Sequence, residues 1–508
     1  MKVESVTKNP ERRSDIFNVL FLVLVASSLG IYLVATSVLI SKDGVTYIEL
    51  ARRFQTDPLG VVKGLSFGYP FGVFAIHKLA GVFGADPSAL GWTCSAQSVT
   101  LLCRVLALIP LYFMGKLLAG SKRSFWAIVI LIILPYPAQF GSDALRDWPH
   151  ILFLATGLWF LFGGARDGKW WMFGASGLVA GFGHMIRPEC AQVLVYGVSW
   201  ILMRLLVPEH NMKRPALVGA IAVLLLGFAI PAAPYMVARG RILPGKLKEY
   251  ISASALREAK VNHNAASESG SNTLKASAYA GKTARAIGRL AGDICDNLMY
   301  YFVPALVVGA YARIRRKSEA DNIERFFVPA FVFLNVLMMI MLYRYWGYIS
   351  RRHCLPLVVL LVFYVPTGLE IFAQQLEQRF PKDRRQSNQP SQRWLFILLA
   401  VGVGICIPKL LSPLGLDKQG YRDAAEWLRL NSGPEDVVAV PDLRISFYAE
   451  RKGIKYTTEI SEGTDYIVRI VRDQDEQAKS DGAGREEYSA RVDARKKNKK
   501  RVVVYRTM

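Results

Sequence analysis

One carboxylate, Asp43, stands where the first long apolar block ends, in the stretch SKDGVTYIELARRF at 41–54. Asp43 and Tyr47 are four residues apart, so they share one face if this polar stretch is helical. An aspartate in that place can take the proton of a hydroxyl group that attacks another molecule. It can equally cap the helix N-terminus, and the stretch alone does not separate these two roles.

Two more short stretches combine carboxylates with cations. The sequence SDALRDW contains Asp143, Arg146 and Asp147, and the sequence HMIRPE contains Arg187 and Glu189. Asp143 and Asp147 are candidate catalytic residues, although a polar loop with a helix cap would use the same residue types. Arg187 and Glu189 are candidate substrate-binding residues, and a structural ion pair inside the membrane is the alternative.

A basic and aromatic stretch, YRYWGYISRRHC at 343–354, forms the third candidate group. Its guanidinium groups suit a phosphate, because they match phosphate oxygens in a bidentate arrangement. Contact with lipid headgroups is the simpler alternative. The candidate phosphate-binding residues are Arg344, Arg351, Arg352, His353 and Arg146, and the candidate substrate-binding aromatic residues are Tyr47, Tyr345 and Tyr348.

Membrane-spanning helices must position these groups, because the apolar residues occur in long blocks. Of the 508 residues, 52% are hydrophobic. The first block, 16–40, is uncharged, long enough to cross a bilayer and too long for the core of a signal peptide. With it, the blocks predict about eleven spans of ~20 residues each. The others lie at about 99–119, 125–141, 148–165, 170–187, 190–207, 215–238, 298–312, 326–343, 354–374 and 394–412.

The basic residues of the short loops predict how these spans are oriented. Pairs such as Lys122 with Arg123 and Arg166 with Lys169 fall on one side, which the positive-inside rule identifies as the cytoplasm. The N-terminus is then cytoplasmic, and Asp43 lies at the external surface. The net charge of +23 reflects this topology rather than nucleic-acid binding. We expect a multi-pass protein of the cytoplasmic membrane.

The predicted fold is mainly α-helical, with a transmembrane domain at 1–412 and a small external (periplasmic) α/β domain at 413–508. The external loops of the first domain lie at about 41–98, 239–297 and 343–354. Within the first of them, the block at 67–84 reads as an interfacial or re-entrant helix. The tail contains an amphipathic helix, DAAEWLRLN, and short strands at DVVAV, DYIVRIV and RVVVYRT.

The sequence shows no metal-binding pattern. Its six cysteines are scattered and lack the spacing of a metal site. A divalent cation that bridges Asp43 and Asp143 is left open by the sequence.

The order of these motifs resembles the GT-C glycosyltransferases, above all the branch of bacterial protein O-mannosyltransferases and lipid A aminoarabinose transferases. The resemblance covers nearly the whole chain, and the succession of loose motifs carries it. The motifs are SKDGVTYIELARRF, GYPFGVFAIHKL, CRVLALIPLYFMGKLLAG, ALRDWPHILFLATGLWFL, GLVAGFGHMIRPE, YISRRHCLPLVVLL and a tail with YRDAAEWLRLN and FYAERKG.

The resemblance implies transfer of a sugar from a polyprenyl-phosphate carrier to an acceptor lipid, glycan or protein outside the cytoplasmic membrane. It assigns the acidic residue that acts at the acceptor to Asp43. Protein mannosyltransferases pair two acidic residues there, whereas Asp43 is followed by Gly44. This departure leaves the class of acceptor open.

The chemistry fits the implied role. A sugar or serine hydroxyl needs a positioned base during attack, and fixed cations stabilise the charge that develops on a departing phosphate. A phosphate leaves without being protonated, so one carboxylate and one displacement with inversion suffice, unlike the two carboxylates of glycoside hydrolysis.

The rival interpretations are a transporter or flippase of lipid-linked sugars and a scaffold that binds them through 413–508. Deletion of 413–508 should abolish the function of a scaffold and leave an enzyme its core site.

Overall fold

The computed structural model describes most of the chain. The described residues are 10–64, 66–84, 86–206, 213–240, 271–315, 322–380, 392–456, 463–472, 485–493 and 500–507. The helices are α1 (Pro10–Ala35), α2 (Lys42–Arg53), α3 (Pro58–Gly64), α4 (Gly68–Val82), α5 (Ala89–Ala119), α6 (Ser121–Ile133), α7 (Pro135–Phe140), α8 (Asp147–Asp167), α9 (Trp170–Ile186), α10 (Gln192–Leu206), α11 (Arg214–Arg239), α12 (Ser271–Asn297), α13 (Val303–Arg315), α14 (Asn322–Trp346), α15 (Leu355–Leu361), α16 (Val365–Arg379), α17 (Arg393–Leu410), α18 (Gln419–Asn431) and α19 (Leu443–Ala449).

The helices confirm a multi-pass membrane fold. Among the described residues, 8 helices are long and apolar enough to cross a bilayer. Three of the predicted spans form shorter helices: the pair α6 and α7, α9 with 17 residues, and α13 with 13 residues. The predicted total of about eleven spans counts these shorter helices together with the long ones.

The external loop predicted at 239–297 contains more regular structure than expected. Helix α11 ends at Arg239, and α12 occupies Ser271–Asn297. Residues 241–270 lie outside the described part of the chain. The first predicted loop also contains helices, since α2, α3 and α4 lie in it and α4 covers most of the block at 67–84.

A proline fixes the bend that leads into the SDALRDW stretch. Helix α6 ends at Ile133, and α7 begins at Pro135. The residue before a proline is pushed out of the helical region, and Leu134 is accordingly extended, with φ −62° and ψ 121°. The chain turns there, and after α7 it forms the short segment that contains Asp143.

The C-terminal unit, which consists of α18, α19 and five strands, is a small mixed sheet with two helices. Its strand order is β2-β1-β3-β5-β4, in which β1 is parallel to β2 and β3 whereas β5 is antiparallel to β3 and β4. The three strand predictions correspond to β1, β3 and β5. The strands are β1 (Val437–Val440), β2 (Lys452–Lys455), β3 (Tyr466–Arg472), β4 (Arg485–Arg491) and β5 (Lys500–Arg506).

The C-terminal unit packs directly on the segment that follows α1. One hydrophobic cluster contains Ile40 and Ile48 together with Leu428 and Val440. The Val38 N–H also donates a hydrogen bond to the Leu414 carbonyl at 2.9 Å. Burial of a shared apolar surface therefore joins the C-terminal unit to the exit of the first span.

Candidate active site

Asp43 forms an ion pair with Arg352. Its Oδ2 lies 2.5 Å from Arg352 Nη2, with the Asp43 side chain 41% exposed and the Arg352 side chain 28% exposed. The two residues come from the first loop and from the basic stretch at 343–354. The fold thus brings together the leading candidate base and one leading candidate for phosphate binding.

Ser41, rather than Asp43, caps helix α2. The Ser41 hydroxyl oxygen accepts a hydrogen bond from the Gly44 N–H at 3.2 Å, which satisfies one free amide of the first turn. The capping interpretation of Asp43 is therefore unnecessary. Its carboxylate points instead to Arg352 and remains partly open to solvent.

Close packing against Ala144 requires a glycine at position 44. A Cβ atom at this position would lie 2.8 Å from the Ala144 Cβ and 3.0 Å from the Ala144 carbonyl oxygen. The absence of a second acidic residue after Asp43 therefore has a steric cause, because α2 approaches the segment before α8 too closely for any side chain.

Asp143 is buried and bonded to the backbone. Its Oδ1 accepts hydrogen bonds from the Ser41 N–H at 2.9 Å and from the Ala144 N–H at 2.7 Å. Burial raises the pKa of Asp143 to about 6, and the two amide donors oppose part of that rise. Asp143 thereby ties the N-terminus of α2 to the loop before α8.

Arg187 lies between two carboxylates. Its Nη1 is 2.6 Å from Asp147 Oδ1, and its Nη2 is 3.6 Å from Glu189 Oε1. Asp147 opens helix α8, where a carboxylate also interacts favourably with the helix dipole. The ion-pair alternative for Arg187 and Glu189 is thus present in the structure, with Asp147 as the shorter partner.

Tyr47 packs inside the site beneath Arg146. The Arg146 guanidinium lies 5.5 Å from the centre of the Tyr47 ring, and that ring meets Tyr69 edge-on at 5.3 Å. Burial raises the pKa of Tyr47, so its hydroxyl stays protonated at neutral pH. Arg146 also donates a long hydrogen bond to the Ile186 carbonyl, at 3.5 Å.

Arg351 is held by a separate group of residues. Its Nε is 2.9 Å from Asp296 Oδ2, and its guanidinium lies 4.4 Å from the centre of the Tyr136 ring. Lys409 approaches the same ring at 3.9 Å. Arg351 and Arg352 are adjacent in the chain, yet they meet different partners. Sequence analysis missed Asp296, Tyr136 and Lys409, since each is distant in the chain.

The other residues of the basic stretch flank Arg351 and Arg352 in the chain. Ser350 and His353 form a capping box that fixes the short 3₁₀ helix Arg351–Cys354. Arg344 and Tyr345 are exposed in the last turn of α14, where Tyr345 packs edge-on against Trp346 at 5.2 Å. Tyr348 is exposed, and its ring lies 6.3 Å from that of His353.

Two residues of the C-terminal unit hold the backbone immediately before Asp43, and sequence analysis missed both. Arg444 Nη1 donates to the Ile40 carbonyl at 3.2 Å, and the Ile40 N–H donates to the Tyr448 hydroxyl at 3.4 Å. Arg444 is itself fixed by two hydrogen bonds to Asp442, at 2.9 Å and 2.8 Å. Nothing in the local sequence pattern indicates these contacts.

A cavity of about 770 Å³ lies on the opposite face of α2, against the C-terminal unit. Several of its charged lining residues already form hydrogen bonds or ion pairs within the protein. Arg52 donates to Glu49 at 3.1 Å, and Glu450 accepts from the Ala89 N–H at 2.6 Å. The candidate active site is therefore assigned to the Asp43 face.

Among the described residues, no group of three or more His, Cys, Asp or Glu side chains could hold a metal ion. The Oδ1 atom of Asp143 is occupied by backbone amides, which leaves Asp43 as the more accessible of the two carboxylates that the sequence suggested as cation ligands.

Comparisons with known proteins agree with this architecture. The family model for dolichyl-phosphate-mannose-protein mannosyltransferases matches residues 92–234. No curated protein matches the chain. Because the family match covers a minority of the chain, the solved structures supply the comparison over its full length.

Three solved structures share the fold. The structure of ArnT from Cupriavidus metallidurans bound to undecaprenyl phosphate has a TM-score of 0.54 at 11% identity, and the match covers 96% of this chain and 97% of that one. AglB from Archaeoglobus fulgidus, in complex with an inhibitory peptide and a dolichol-phosphate, has a TM-score of 0.54 at 12% identity over 90% and 69%. The oligosaccharyltransferase of the same organism with Zn and sulfate has 0.54 at 14% over 89% and 67%.

These matches confirm the predicted resemblance to GT-C membrane glycosyltransferases, including the ArnT branch. They show a shared fold, and the identities of 11–14% leave the substrates of this chain to be inferred from its own residues.

Proposed function

We propose that this chain is a membrane glycosyltransferase that moves a sugar from a polyprenyl-phosphate carrier to an acceptor hydroxyl, with Asp43 as the base. The observation that carries this proposal is the Asp43–Arg352 ion pair at the exit of the first span. The pair combines a solvent-accessible carboxylate with a guanidinium, and in this proposal a lipid-borne phosphate reaches it from the bilayer. The solved structures of ArnT with undecaprenyl phosphate and of AglB with dolichol-phosphate support a carrier of this class.

The reaction requires one displacement. The acceptor oxygen attacks the anomeric carbon and forms the new glycosidic bond while its proton passes to an Asp43 carboxylate oxygen. The bond between that carbon and the phosphate oxygen breaks, and the phosphate leaves with the electron pair. A single in-line step inverts the configuration, and no acid is needed because a phosphate is a stable anion.

Arg352 and Arg351 bind the donor phosphate in this proposal. Before the donor binds, Asp43 neutralises Arg352 and Asp296 neutralises Arg351. A phosphate that displaces Asp43 from Arg352 frees that carboxylate to approach the acceptor hydroxyl. The guanidinium then stabilises charge where it develops, which is the largest effect such a site can supply. Arg344 and Arg146 are further phosphate-binding candidates, since each lies in or beside these stretches.

Asp143 and Asp147 have supporting roles in this mechanism. Asp143 is engaged with the amides of Ser41 and Ala144, so it orients α2. Asp147 forms an ion pair with Arg187, which fixes the position of the Arg187 side chain. Both were candidate bases in the sequence, and the contacts favour Asp43 because it alone of the three is more than a third exposed.

The reaction belongs to the external face of the cytoplasmic membrane in this proposal. The basic short loops lie at the helix ends opposite Asp43 and Arg352, which fits the positive-inside rule with a cytoplasmic N-terminus. The C-terminal unit then lies in the periplasm, beside the site it contacts. The acceptor hydroxyl belongs to a lipid, a glycan or a protein.

A divalent cation could assist at Asp43. The Archaeoglobus fulgidus relative was solved with Zn and sulfate, and Asp43 presents an accessible carboxylate. Transfer that survives a chelator would remove the cation from the mechanism.

The decisive experiment is a transfer assay with purified protein, radiolabelled polyprenyl-phosphate sugars and crude membrane acceptors. Wild type should move label from the carrier to a new product, and Asp43→Asn should bind donor yet lose transfer by roughly two orders of magnitude or more, as expected for a general base. Near-normal transfer by Asp43→Asn would remove Asp43 from the mechanism.

Donor titration in the same assay tests the phosphate site. Arg352→Ala and Arg351→Ala should each raise the donor KM, whereas Arg53→Ala, an exposed arginine that pairs with Asp57, should match wild type. Titration curves for both site variants that coincide with wild type would contradict the assignment. Label that crosses vesicles without changing its covalent partner would instead support a transporter.

A further inference from the structure

Three shielded polar atoms near the start of α8 and the 3₁₀ helix Pro188–Ala191 have no hydrogen-bond partner among the residues that the structure describes. They are His150 Nε2, Arg187 Nε and Glu189 Oε2. His150 is only 3% exposed, on the first turn of α8. Glu189 is 34% exposed as a side chain, yet its Oε2 atom is shielded. Buried polar groups are normally satisfied, so these atoms indicate a polar occupant.

The three atoms belong to one small region. His150 interacts electrostatically with Arg187 and Glu189, and also with Asp147. The Cys190 thiol, next to Glu189, contacts the His150 carbonyl at 3.9 Å. The start of α8 and the 3₁₀ helix Pro188–Ala191 are therefore packed together, and His150, Arg187 and Glu189 belong to one polar group where these two segments meet.

This polar group lies within electrostatic range of the proposed phosphate site. Arg352 interacts electrostatically with Asp147 as well as with Asp43. His353, the next residue, interacts with Arg187, Asp147 and Glu189. A sugar attached to a phosphate on Arg352 is then within range of the polar groups of His150, Arg187 and Glu189 in this proposal.

The charged side chains of this polar group are already paired with one another. Arg187 is paired with Asp147 and Glu189, and Arg146 supplies a second cation that interacts with Glu189. Two guanidiniums thus balance two carboxylates. The unpaired atoms are a guanidinium N–H donor, a carboxylate acceptor and an imidazole nitrogen that can act in either way. Hydroxyl groups donate and accept, so they can satisfy all three without adding charge.

We propose that His150, Arg187 and Glu189 form the subsite that reads the hydroxyl groups of the transferred sugar, and that this sugar is a neutral hexosyl or pentosyl group. The proposal rests on the proposed function and extends it from a carrier phosphate to the class of sugar. His150 becomes a specificity residue, although no motif in the sequence singles it out.

Glu189 argues against an acidic sugar, and the paired charges of the polar group argue for an uncharged one. Its unpaired carboxylate oxygen would face the carboxylate of a hexuronate at short range in a shielded place, where repulsion between like charges is strong. A site built to bond hydroxyl groups also rejects analogues that lack them, because its own polar atoms are then left unpaired.

A binding measurement tests the subsite without relying on turnover. The affinity of purified protein is measured for undecaprenyl phosphate and for undecaprenyl-phosphate-linked mannose, arabinose and glucuronate. Wild type should prefer a neutral sugar-linked carrier over both the sugar-free carrier and the glucuronate. His150→Ala and Glu189→Gln should each reduce that preference by about tenfold and leave the affinity for the sugar-free carrier unchanged.

Thr156→Val is the matched control on the same helix. The Thr156 hydroxyl donates to the Leu152 carbonyl within α8 at 2.7 Å, so its loss should alter no preference. Equal affinities of wild type for sugar-free and sugar-linked carriers would overturn the subsite, as would preference ratios that stay at the wild-type value in both variants. Tighter binding of glucuronate than of mannose and arabinose would overturn the neutral class.

The two proposals fail separately in these experiments. A preference for neutral sugars that His150→Ala abolishes, in a protein that transfers no label, would uphold the subsite and refute the transferase. Transfer of label, with a sugar preference that is unchanged in both variants, would uphold the transferase and refute the subsite.

Discussion

The role proposed for Asp43 depends on three other residues, Ser41, Gly44 and Arg352. Ser41 caps α2, so the carboxylate of Asp43 is not needed for the helix terminus. A second carboxylate cannot follow Asp43, because Ala144 occupies the space that a side chain at position 44 would take. Arg352 then holds Asp43 at the surface of the membrane region. A single accessible carboxylate beside a guanidinium is the result.

The close approach at Gly44 predicts that restoring a second acidic residue harms the protein. Gly44→Asp and Gly44→Ala should both lower the free energy of unfolding, by about 1–3 kcal/mol for the overpacking, and should displace Asp43. The measurement is thermal unfolding in detergent together with transfer activity. Gly64→Ala is the control, since a Cβ there would meet nothing within 4 Å. A melting temperature of Gly44→Ala equal to that of wild type would contradict this prediction and show that α2 is free to shift.

Asp143 predicts a pH dependence of stability. Burial raises its pKa from 3.8 to about 6, so the folded state keeps the proton to a higher pH than the unfolded chain does. The stability that Asp143 contributes is therefore lost as the pH rises from about 4 to about 6, by roughly 3 kcal/mol at most. Asp143→Asn does not titrate. The melting temperature of wild type should fall relative to that of Asp143→Asn over this range, and a constant difference would contradict the raised pKa.

At the scale of elements, three separate segments form hydrogen bonds with the few residues between α1 and α2. The Leu414 carbonyl accepts from the Val38 N–H, Arg444 donates to the Ile40 carbonyl, and Asp143 accepts from the Ser41 N–H. These bonds replace the helical hydrogen bonds that the chain gives up when α1 ends, which keeps buried backbone groups satisfied. The position of Asp43 thus depends on contacts from the C-terminal unit.

Removal of the C-terminal unit should therefore abolish transfer even though the proposed reacting groups lie elsewhere. A chain that ends at 412 would expose Ile40 and Ile48 and leave the Ile40 carbonyl without Arg444. The contacts thus change the expectation from sequence that an enzyme would survive this deletion. The measurement is transfer by membranes that contain equal amounts of wild-type and truncated protein.

A point variant separates positioning from general unfolding. Tyr448→Phe removes only the hydroxyl, which accepts from the Ile40 N–H at 3.4 Å and also bonds to the Thr93 side chain. It should lower kcat a few-fold, since one weak neutral hydrogen bond is worth about 1 kcal/mol, and leave the donor KM unchanged. A truncated protein with wild-type kcat and KM would show that the C-terminal unit does not position the site.

At the scale of the whole molecule, the candidate site gathers at one end of the helix bundle, and the basic short loops lie at the other. Asp43, Asp147 and Arg352 each lie at or beside the end of a membrane-spanning helix. Such an arrangement lets a lipid-borne donor enter from the bilayer and a polar acceptor enter from water. It also makes the orientation of the chain a testable property.

Cysteine labelling from one side of the membrane tests the orientation. Cys94 is free and exposed near the N-terminus of α5, on the side of the candidate site. In a variant with Cys94 as its sole cysteine, a membrane-impermeant maleimide should label intact spheroplasts. A matched variant whose sole cysteine is Lys122→Cys, in the first turn of α6 just beyond the other end of α5, should react only after lysis. The opposite pattern would place the site in the cytoplasm.

The sequence by itself determined the elements of this protein. Apolar blocks of span length, the strand patterns of the tail and the charge of the short loops are local signals, and they predicted the membrane helices, β1, β3, β5 and the stretches that carry the candidate residues. Motif order also indicated the GT-C resemblance, which the fold comparisons confirmed.

Only the tertiary structure decided which of these residues meet. The partner of Asp43 lies in the basic stretch near α14, Arg444 reaches Ile40 from the C-terminal unit, and Arg187 pairs with Asp147 at the start of α8. Such pairs join residues far apart in the chain, and side-chain burial and pairing depend on how helices pack rather than on spacing along one helix. For that reason the sequence named Asp143 and Asp43 alike, and only packing separated the buried carboxylate from the accessible one.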